Sequence, residues 1–522
     1  MSNHKVISII INNLTINEVN SLTKELSQRA DMGSKLLKMF KLVRKNKGIE
    51  QDEVIKVLYE NLDKNSFESY RKLCERMLYK LLNMIVSFEN FKMDKSNYSE
   101  YYFNKVLVNR NIHLIEILKS KTLPIDWMIK QIQTTLKICD EFEFVEEGIA
   151  MEKNNLLFHY AVGDLNKIET CLQNIERRAQ HFLYLNKAEI HIYKNIDHVQ
   201  HKSIDDKSRI SEIQLVILEL EKYYSATNLQ TINFMVLMLK LQLAHYEEKY
   251  LRAENIILEI IQISEQYSAL KRRSKLVQNY MNLAYTQFYL NKYEEAYLNA
   301  LKATKEYIEH DFVLNINREA CVFALIYLNR FPEAETWLAK MLSSGSVGNS
   351  PEQLSKRHLM MGVLKYLQND FKGAFKHLQF TKEVETDREG WNLGIRMLNI
   401  YLTLSTEKVD LADQRINAMR KHIERTIKMR NLRKRDIIIF RILSHLSRSG
   451  FDFRETWEER KKDFALLRSN TPDCFWVPRS HELIIFDQWF EAKMNNMHYS
   501  PIFPSPKLAP EKLVDISVAE EA

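Results

Sequence analysis

Chain breakers are so rare in this sequence that a β-rich fold is hard to build from it. Eleven glycines and nine prolines punctuate 522 residues, and Pro501, Pro504, Pro506 and Pro510 crowd into the last stretch. Sheets need a tight turn after every strand or two, and glycine and proline supply most of them. Long helices joined by short polar breaks need far fewer. Hydrophobic residues make up 45% and charged residues 27% of the chain, which is enough apolar surface for a continuous core and excludes wholesale disorder. The expected fold class is therefore all-α.

The apolar spacing agrees. From Thr15 to Phe91 large residues recur at intervals of three and four, as in Leu36, Leu37, Phe40 and Val43 and again in Leu73, Met77, Leu81 and Ile85, which is the helical period. Gly33 and Lys47-Gly48 separate candidate helices, and Asn65-Ser66 is a candidate cap. This predicts a four-helix N-terminal head over residues 1–97, with the polar stretch Lys92–Tyr98 as a hinge. Beyond it the pattern becomes monotonous, helix and short break in turn. The expected division is divergent hairpins over 98–234, a repeat array over 235–468, a capping helix within 469–499 and a Pro-rich, then acidic, tail over 500–522. The cap is expected to be a helix from Glu482 to Met494, closed by Trp489 and Phe490. Polar loops are expected at Asp197–Ser208 and Ser343–Pro351.

Within the array one unit is clearest: Tyr280-Met281-Asn282-Leu283-Ala284, then Asn291-Lys292-Tyr293-Glu294-Glu295-Ala296, then Ala300 and Ala303. Small residues at Ala284 and Ala296 let two antiparallel helices approach, and Tyr280, Leu283 and Tyr293 fill the space around their crossing. The same turn returns at Asn329-Arg330-Phe331-Pro332-Glu333-Ala334, at Asn369-Asp370-Phe371-Lys372-Gly373-Ala374 and at Lys408-Val409-Asp410-Leu411-Ala412. The small residue steps from 296 to 334, 374 and 412, at spacings of 38, 40 and 38. Lys249–Ala253 and Gly163–Ile168 are looser copies.

These motifs resemble the tetratricopeptide (TPR) repeat superfamily, with a period longer than its usual ~34 residues. The resemblance implies an α-solenoid of antiparallel helical hairpins, with the N-terminal head and the C-terminal helix as caps. It also implies a concave face supplied by the first helix of each hairpin. On it would lie Met281, Asn282, Tyr285 and Phe288 in one unit and Lys356, Leu359, Val363 and Tyr366 in another. Asn282 falls where peptide-carboxylate clamps of this superfamily place an asparagine, but the rest of such a clamp is missing.

No phosphate-binding glycine loop, HExxH, GxSxG or calcium-loop signature occurs in the sequence. The closest histidine cluster, His191, His198 and His201, sits in or beside a polar loop without a completing cysteine or carboxylate, so solvated histidines are the simpler account. Carboxylate pairs such as Glu146-Glu147, Glu247-Glu248 and Glu294-Glu295 fall at helix starts or turns, where acidic groups complement the helix dipole. No catalytic, cofactor or metal residues are assigned, and the chain reads as no enzyme. Its five cysteines are dispersed, with no CxxC pair, which fits a reducing compartment. No cleavable leader or apolar run of spanning length is recognised, so the expected location is the cytoplasm.

The net charge of +7 is concentrated. One basic stripe comprises Lys35, Lys38, Lys41, Arg44, Lys45 and Lys47. A second region holds Arg415, Arg420, Lys421, Arg425, Lys428, Arg430, Arg433, Lys434 and Arg435 against a single acid, Glu424. Such a region suits an acidic protein surface or phosphate. A solvated helix face explains it more simply, since no aromatics interleave the arginines for stacking on bases. The head also has a weak likeness to a helix-turn-helix, with Arg71, Lys72, Arg76 and Lys80 on a helix from Phe67 to Leu82 that is itself strongly apolar.

The leading expectation is a noncatalytic scaffold or adaptor that binds a protein or peptide segment, an acidic one where the basic region takes part. The alternative is a nucleic-acid-binding regulator using the head or the 415–435 region, and a third is an enzyme with a non-standard site. Homodimerisation through the terminal helices stays open, although no sustained heptad supports a coiled coil.

Overall fold

In the computed structural model every regular element among the described residues is a helix. The structure describes residues 3–14, 16–27, 33–46, 48–86, 100–119, 125–199, 206–306, 311–343, 350–383, 390–428, 433–469, 471 and 474–504. The expected hinge at Lys92–Tyr98, residues 200–205 of the loop expected at 197–208, the interior of the 343–351 linker and the acidic tail lie outside them. Two compact units emerge, one of residues 1–190, 223–232 and 265–272, the other of 191–222, 233–264 and 273–522. Among the described residues no helix is long and apolar enough to cross a membrane.

The first unit begins with α1 (Asn3–Asn13), α2 (Ile16–Ser27), α3 (Gly33–Lys45), α4 (Gln51–Tyr59) and α5 (Lys64–Val86). Five helices stand among the described residues of the head, where four were expected. The stretch before Thr15 is itself a helix, because Ile7 and Ile11 are wholly buried with Met39, Val43, Val54 and Met77 in one core. Arg44, expected on a basic stripe, turns inward and donates to the carbonyls of Ile11, Asn12 and Leu14, closing the C-terminal end of α1 where carbonyls lack intrahelical partners. The cap of α5 is Asp63, whose carboxylate accepts from Ser66 N at 2.7 Å, rather than Asn65 or Ser66. Leu73, Met77 and Leu81 of α5 are buried, while Arg71 and Lys72 pair along the helix with Glu75 and Glu68.

The same unit continues through α6 (Glu100–Leu118), α7 (Ile125–Glu141) and α8 (Val145–Val162). Phe142 and Phe144 stack at the α7–α8 turn under Tyr101. Then come α9 (Leu165–Val199), α10 (Asp206–Thr227), α11 (Gln230–Tyr246) and α12 (Tyr250–Gln266). Glu143, beside that turn, accepts from the backbone N–H of Gln230 and Thr231 at 2.6 and 2.9 Å, so a carboxylate distant in sequence supplies the acceptors that the first turn of α11 lacks.

The second unit contains α13 (Arg273–Tyr289), α14 (Tyr293–Glu306), α15 (Asp311–Tyr327), α16 (Phe331–Ser343), α17 (Pro351–Leu367), α18 (Phe371–Leu378), α19 (Trp391–Ser405), α20 (Val409–Lys428), α21 (Lys434–Arg448), α22 (Phe453–Glu459), α23 (Lys461–Leu467) and α24 (Phe486–Met494). From α13 to α18, and from α19 to α22, each helix packs on the next. The first helices of neighbouring hairpins also touch, α13 with α15 and α17 with α19.

One turn geometry repeats through the array. Asn291, Asn329, Asn369 and Glu407 are left-handed, with φ of 57°, 57°, 62° and 58°, and each stands five positions before a fully buried alanine, Ala296, Ala334, Ala374 or Ala412. The next residue donates back to the carbonyl five before it, Lys292 to Gln287, Arg330 to Leu325, Asp370 to Lys365 and Lys408 to Thr403, at 2.8–3.0 Å. This is a Schellman-type ending that satisfies carbonyls stranded at the helix terminus. Glu248 before Ala253 and Glu143 before Gly148 repeat it, with φ of 56° and 54°. At the Glu143 turn the residue after the left-handed position is Phe144, so the polar pair that marks the other turns is missing there.

Candidate binding surface

The residues expected on a shared face occupy the first helices of their hairpins, but most are covered. Met281, Phe288, Leu359, Val363 and Tyr366 are buried, while Asn282, Tyr285 and Lys356 are partly so. Lys356 pairs with Glu319 at 2.7 Å and lies over the Trp391 ring.

Two of these residues, Tyr285 and Tyr366, meet the chain's own C-terminal segment. After α23 the polypeptide returns over the array, and its side chains meet one aromatic residue after another. The Arg479 guanidinium lies 3.7 Å from the centre of the Tyr285 ring, and its backbone N–H donates to the Tyr327 hydroxyl at 2.5 Å. Trp476 stands edge-on to Tyr327, with centroids 5.4 Å apart. On α24, Trp489 donates through Nε1 to the Tyr366 hydroxyl at 2.7 Å and packs 4.4 Å from Tyr401. Burial raises the hydroxyl pKa values of Tyr327, Tyr366 and Tyr401, so all three stay neutral, and those of Tyr327 and Tyr366 serve as hydrogen-bonding partners. Trp489 and Phe490 are fully buried.

A charged core holds this segment down. Arg435 uses all five N–H donors: on Glu482 at 2.6 and 2.8 Å, on Asp487 at 3.1 Å, and on the carbonyls of Leu467 and Cys474 at 2.8 and 3.0 Å. Beside it Asp436 takes two bonds from Arg433 and faces His481 Nε2 at 3.3 Å. Burial alone would raise the Asp436 pKa; His481 and Arg433 outweigh it and hold the carboxyl well below the usual range. His481 fits because the residue that caps the start of α19 is a glycine. A Cβ on Gly390, whose φ is +83°, would stand 2.5 Å from His481 Nδ1. Glu482 also accepts from Phe486 N at 3.0 Å, which starts α24 four residues after the expected Glu482 and leaves 482–485 outside the helix.

The basic region of 415–435 is therefore not one surface. Arg435 is 1% exposed and belongs to the core, Arg433 is paired, and Arg415 reaches the Asn399 carbonyl at 2.7 Å. Arg420, Lys421 and Lys434 are exposed. The side chains of Arg425, Lys428 and Arg430 lie outside the described residues, as does that of Lys47 in the head. Lys35, Lys38, Lys41 and Lys45 are exposed.

Two histidines stand together, His358 and His377, Nδ1 to Nδ1 at 3.2 Å, both pushed toward the neutral form by burial. Among the described residues no third ligand joins them, nor is there any group of three or more metal-binding side chains. His191 faces Glu219 at 3.2 Å, and the side chains of His198 and His201 lie outside the described residues. All five cysteines are free and buried. Burial pushes the thiols of Cys74 and Cys171 up to about 11 and those of Cys139 and Cys321 up to about 12, far from nucleophilic thiolates.

Sequence reasoning placed the hairpin turns and marks a change of character after Asn470 at Pro472, Trp476 and Pro478, but assigns no contact to Trp476, Arg479 or His481. The available signal was the break in composition after Asn470, where tryptophan and proline enter a chain otherwise poor in both. No family model matches the sequence, and no curated protein matches it.

Proposed function

We propose that the protein is a noncatalytic cytoplasmic scaffold, an α-solenoid of TPR-like hairpins that holds a protein or peptide segment against the first helices of successive hairpins. The observation that carries this reading is the contact made by residues 474–504. Tyr285, Tyr327, Tyr366 and Tyr401, from four consecutive first helices, all receive side chains or backbone of one continuous stretch of polypeptide. A surface that arrays aromatic rings and hydroxyls in this way has the chemistry of a peptide track. Arg420, Lys421 and Lys434 favour an acidic partner.

The test is affinity capture from native lysate with quantified partners, comparing wild type with Arg420→Glu/Lys421→Glu/Lys434→Glu at matched helical content. Loss of an acidic partner is expected. An unchanged set of partners removes the electrostatic component, and no retained partner removes the scaffold. Binding of random-sequence DNA or RNA that falls steeply with salt would instead favour a phosphate-binding role.

A further inference from the structure

Residues 499–503 are bound to their own protein as a peptide ligand would be. Tyr499, Pro501 and Phe503 are buried, whereas Ser500, Ile502 and Pro504 are exposed, and this period of two is that of extended chain. Side-chain amides grip the backbone. Gln488 Nε2 donates to the Ile502 carbonyl at 2.7 Å while its Oε1 accepts from Ile502 N at 2.8 Å, the two-bond pairing one strand gives another. Asn329 Nδ2 donates to the Pro501 carbonyl at 3.3 Å.

The inward side chains have built pockets. Phe503 fills an aromatic corner, 4.8 Å from the Tyr327 ring and 5.5 Å from Trp476. The Tyr499 hydroxyl accepts from Ile485 N at 2.9 Å. One residue further back, His498 meets Asn369 Nδ2 at 3.4 Å. Asn329 and Asn369 are the left-handed turn residues of consecutive hairpins, so one side chain type serves both needs. Asparagine tolerates the turn's φ better than most residues, and its amide reaches the adjacent peptide.

We propose that the site formed by Asn329, Tyr327, Trp476 and Gln488 recognises extended segments of the pattern aromatic-x-Pro-x-aromatic, and that residues 499–503 occupy it in cis. A partner protein carrying that pattern enters by displacing the tail. The tether gives the tail an effective concentration on the order of millimolar, so the wild-type chain admits only tight or abundant competitors. This site deepens the scaffold role proposed above. A partner whose capture ignores the tail and Gln488 would leave that role standing and overturn this site.

The probe is a fluorescein-labelled peptide of residues 497–505, followed by anisotropy on the full-length chain. Phe503→Ala should bind it at least about tenfold more tightly than wild type, since the weakened tail competes less. Adding Gln488→Ala should abolish the gain, and a peptide with both aromatics replaced by alanine should not bind. Equal affinity of wild type and Phe503→Ala, a gain indifferent to Gln488, or binding of the alanine peptide each overturns the proposal. Hydrogen exchange on wild type gives a readout that needs no variant. The Ile502 amide should exchange at least about a hundredfold faster than amides of α17, by local opening. Exchange only together with those helices would mean that the tail never leaves.

Discussion

Arg435 and Glu482, 47 residues apart in sequence, form a two-pronged ion pair at 2.6 and 2.8 Å with neither side chain more than 1% exposed. The pair fastens the returning C-terminal segment to α21. Its worth lies in geometry, since a buried charge left without its partner is far more costly than the pair is stabilising. Glu482→Ala is accordingly expected to destabilise the chain by about 3–5 kcal/mol, read as a fall in the urea midpoint. Arg435→Met combined with Glu482→Leu should not recover that loss, because Asp487 and the carbonyls of Leu467 and Cys474 would still lose their bonds from Arg435. A single variant within about 1 kcal/mol of wild type would mean that the pair is open to water in solution.

Asp436 makes stability depend on pH in one direction. Its carboxyl is held below the ordinary value, so its contribution is complete above the unfolded value near 3.9 and is lost as pH falls toward the lower folded value. Asp436→Asn should cost about 2–3 kcal/mol at neutral pH, and its curve of stability against pH should converge on wild type in acid. Asp487 behaves oppositely: burial raises its pKa despite Arg435, so Asp487→Asn should cost less at neutral pH than Asp436→Asn. Equal costs for the two at neutral pH would contradict this assignment.

At Gly390 two constraints coincide, a positive φ and the imidazole of His481 against the missing side chain. Gly390→Ala should cost about 2 kcal/mol or more, and His481→Ala in the same chain should return the steric part. A double-mutant cycle measures that return as coupling. No coupling would place His481 elsewhere in solution.

The turn asparagines can be tested where no tail is bound. Asn291→Val introduces a β-branched residue at φ 57° and should cost about 1–2 kcal/mol, while Asn291→Gly keeps the backbone unstrained, gives up only the bond that Asn291 Oδ1 accepts from the Tyr293 hydroxyl at 3.0 Å, and should cost less than valine. Valine tolerated as well as glycine would show that this turn is not left-handed.

Buried thiols give a whole-chain readout. Cys74, Cys139, Cys171 and Cys321, with raised pKa values, should react with a thiol reagent near neutral pH only as fast as their helices open. Rapid labelling of Cys139 or Cys321 in the native protein would contradict their placement.

Helical class and the position of the hairpin turns were legible in the sequence because both are local. Few breakers, a three-and-four apolar period and a polar turn five residues before a small one act within a stretch of 40 residues or fewer. The same local reading put Arg435 on a basic surface, Arg44 on a basic stripe and Tyr366 in an open groove. Each was displaced by a partner far along the chain: Glu482 for Arg435, the end of α1 for Arg44, Trp489 for Tyr366. A charged or aromatic residue looks the same in sequence whether water or a distant carboxylate completes its hydrogen bonds. Tertiary structure alone decided that Tyr327, Asn329 and Tyr366 meet the chain's own C-terminal segment, because those contacts depend on pairings more than a hundred residues apart.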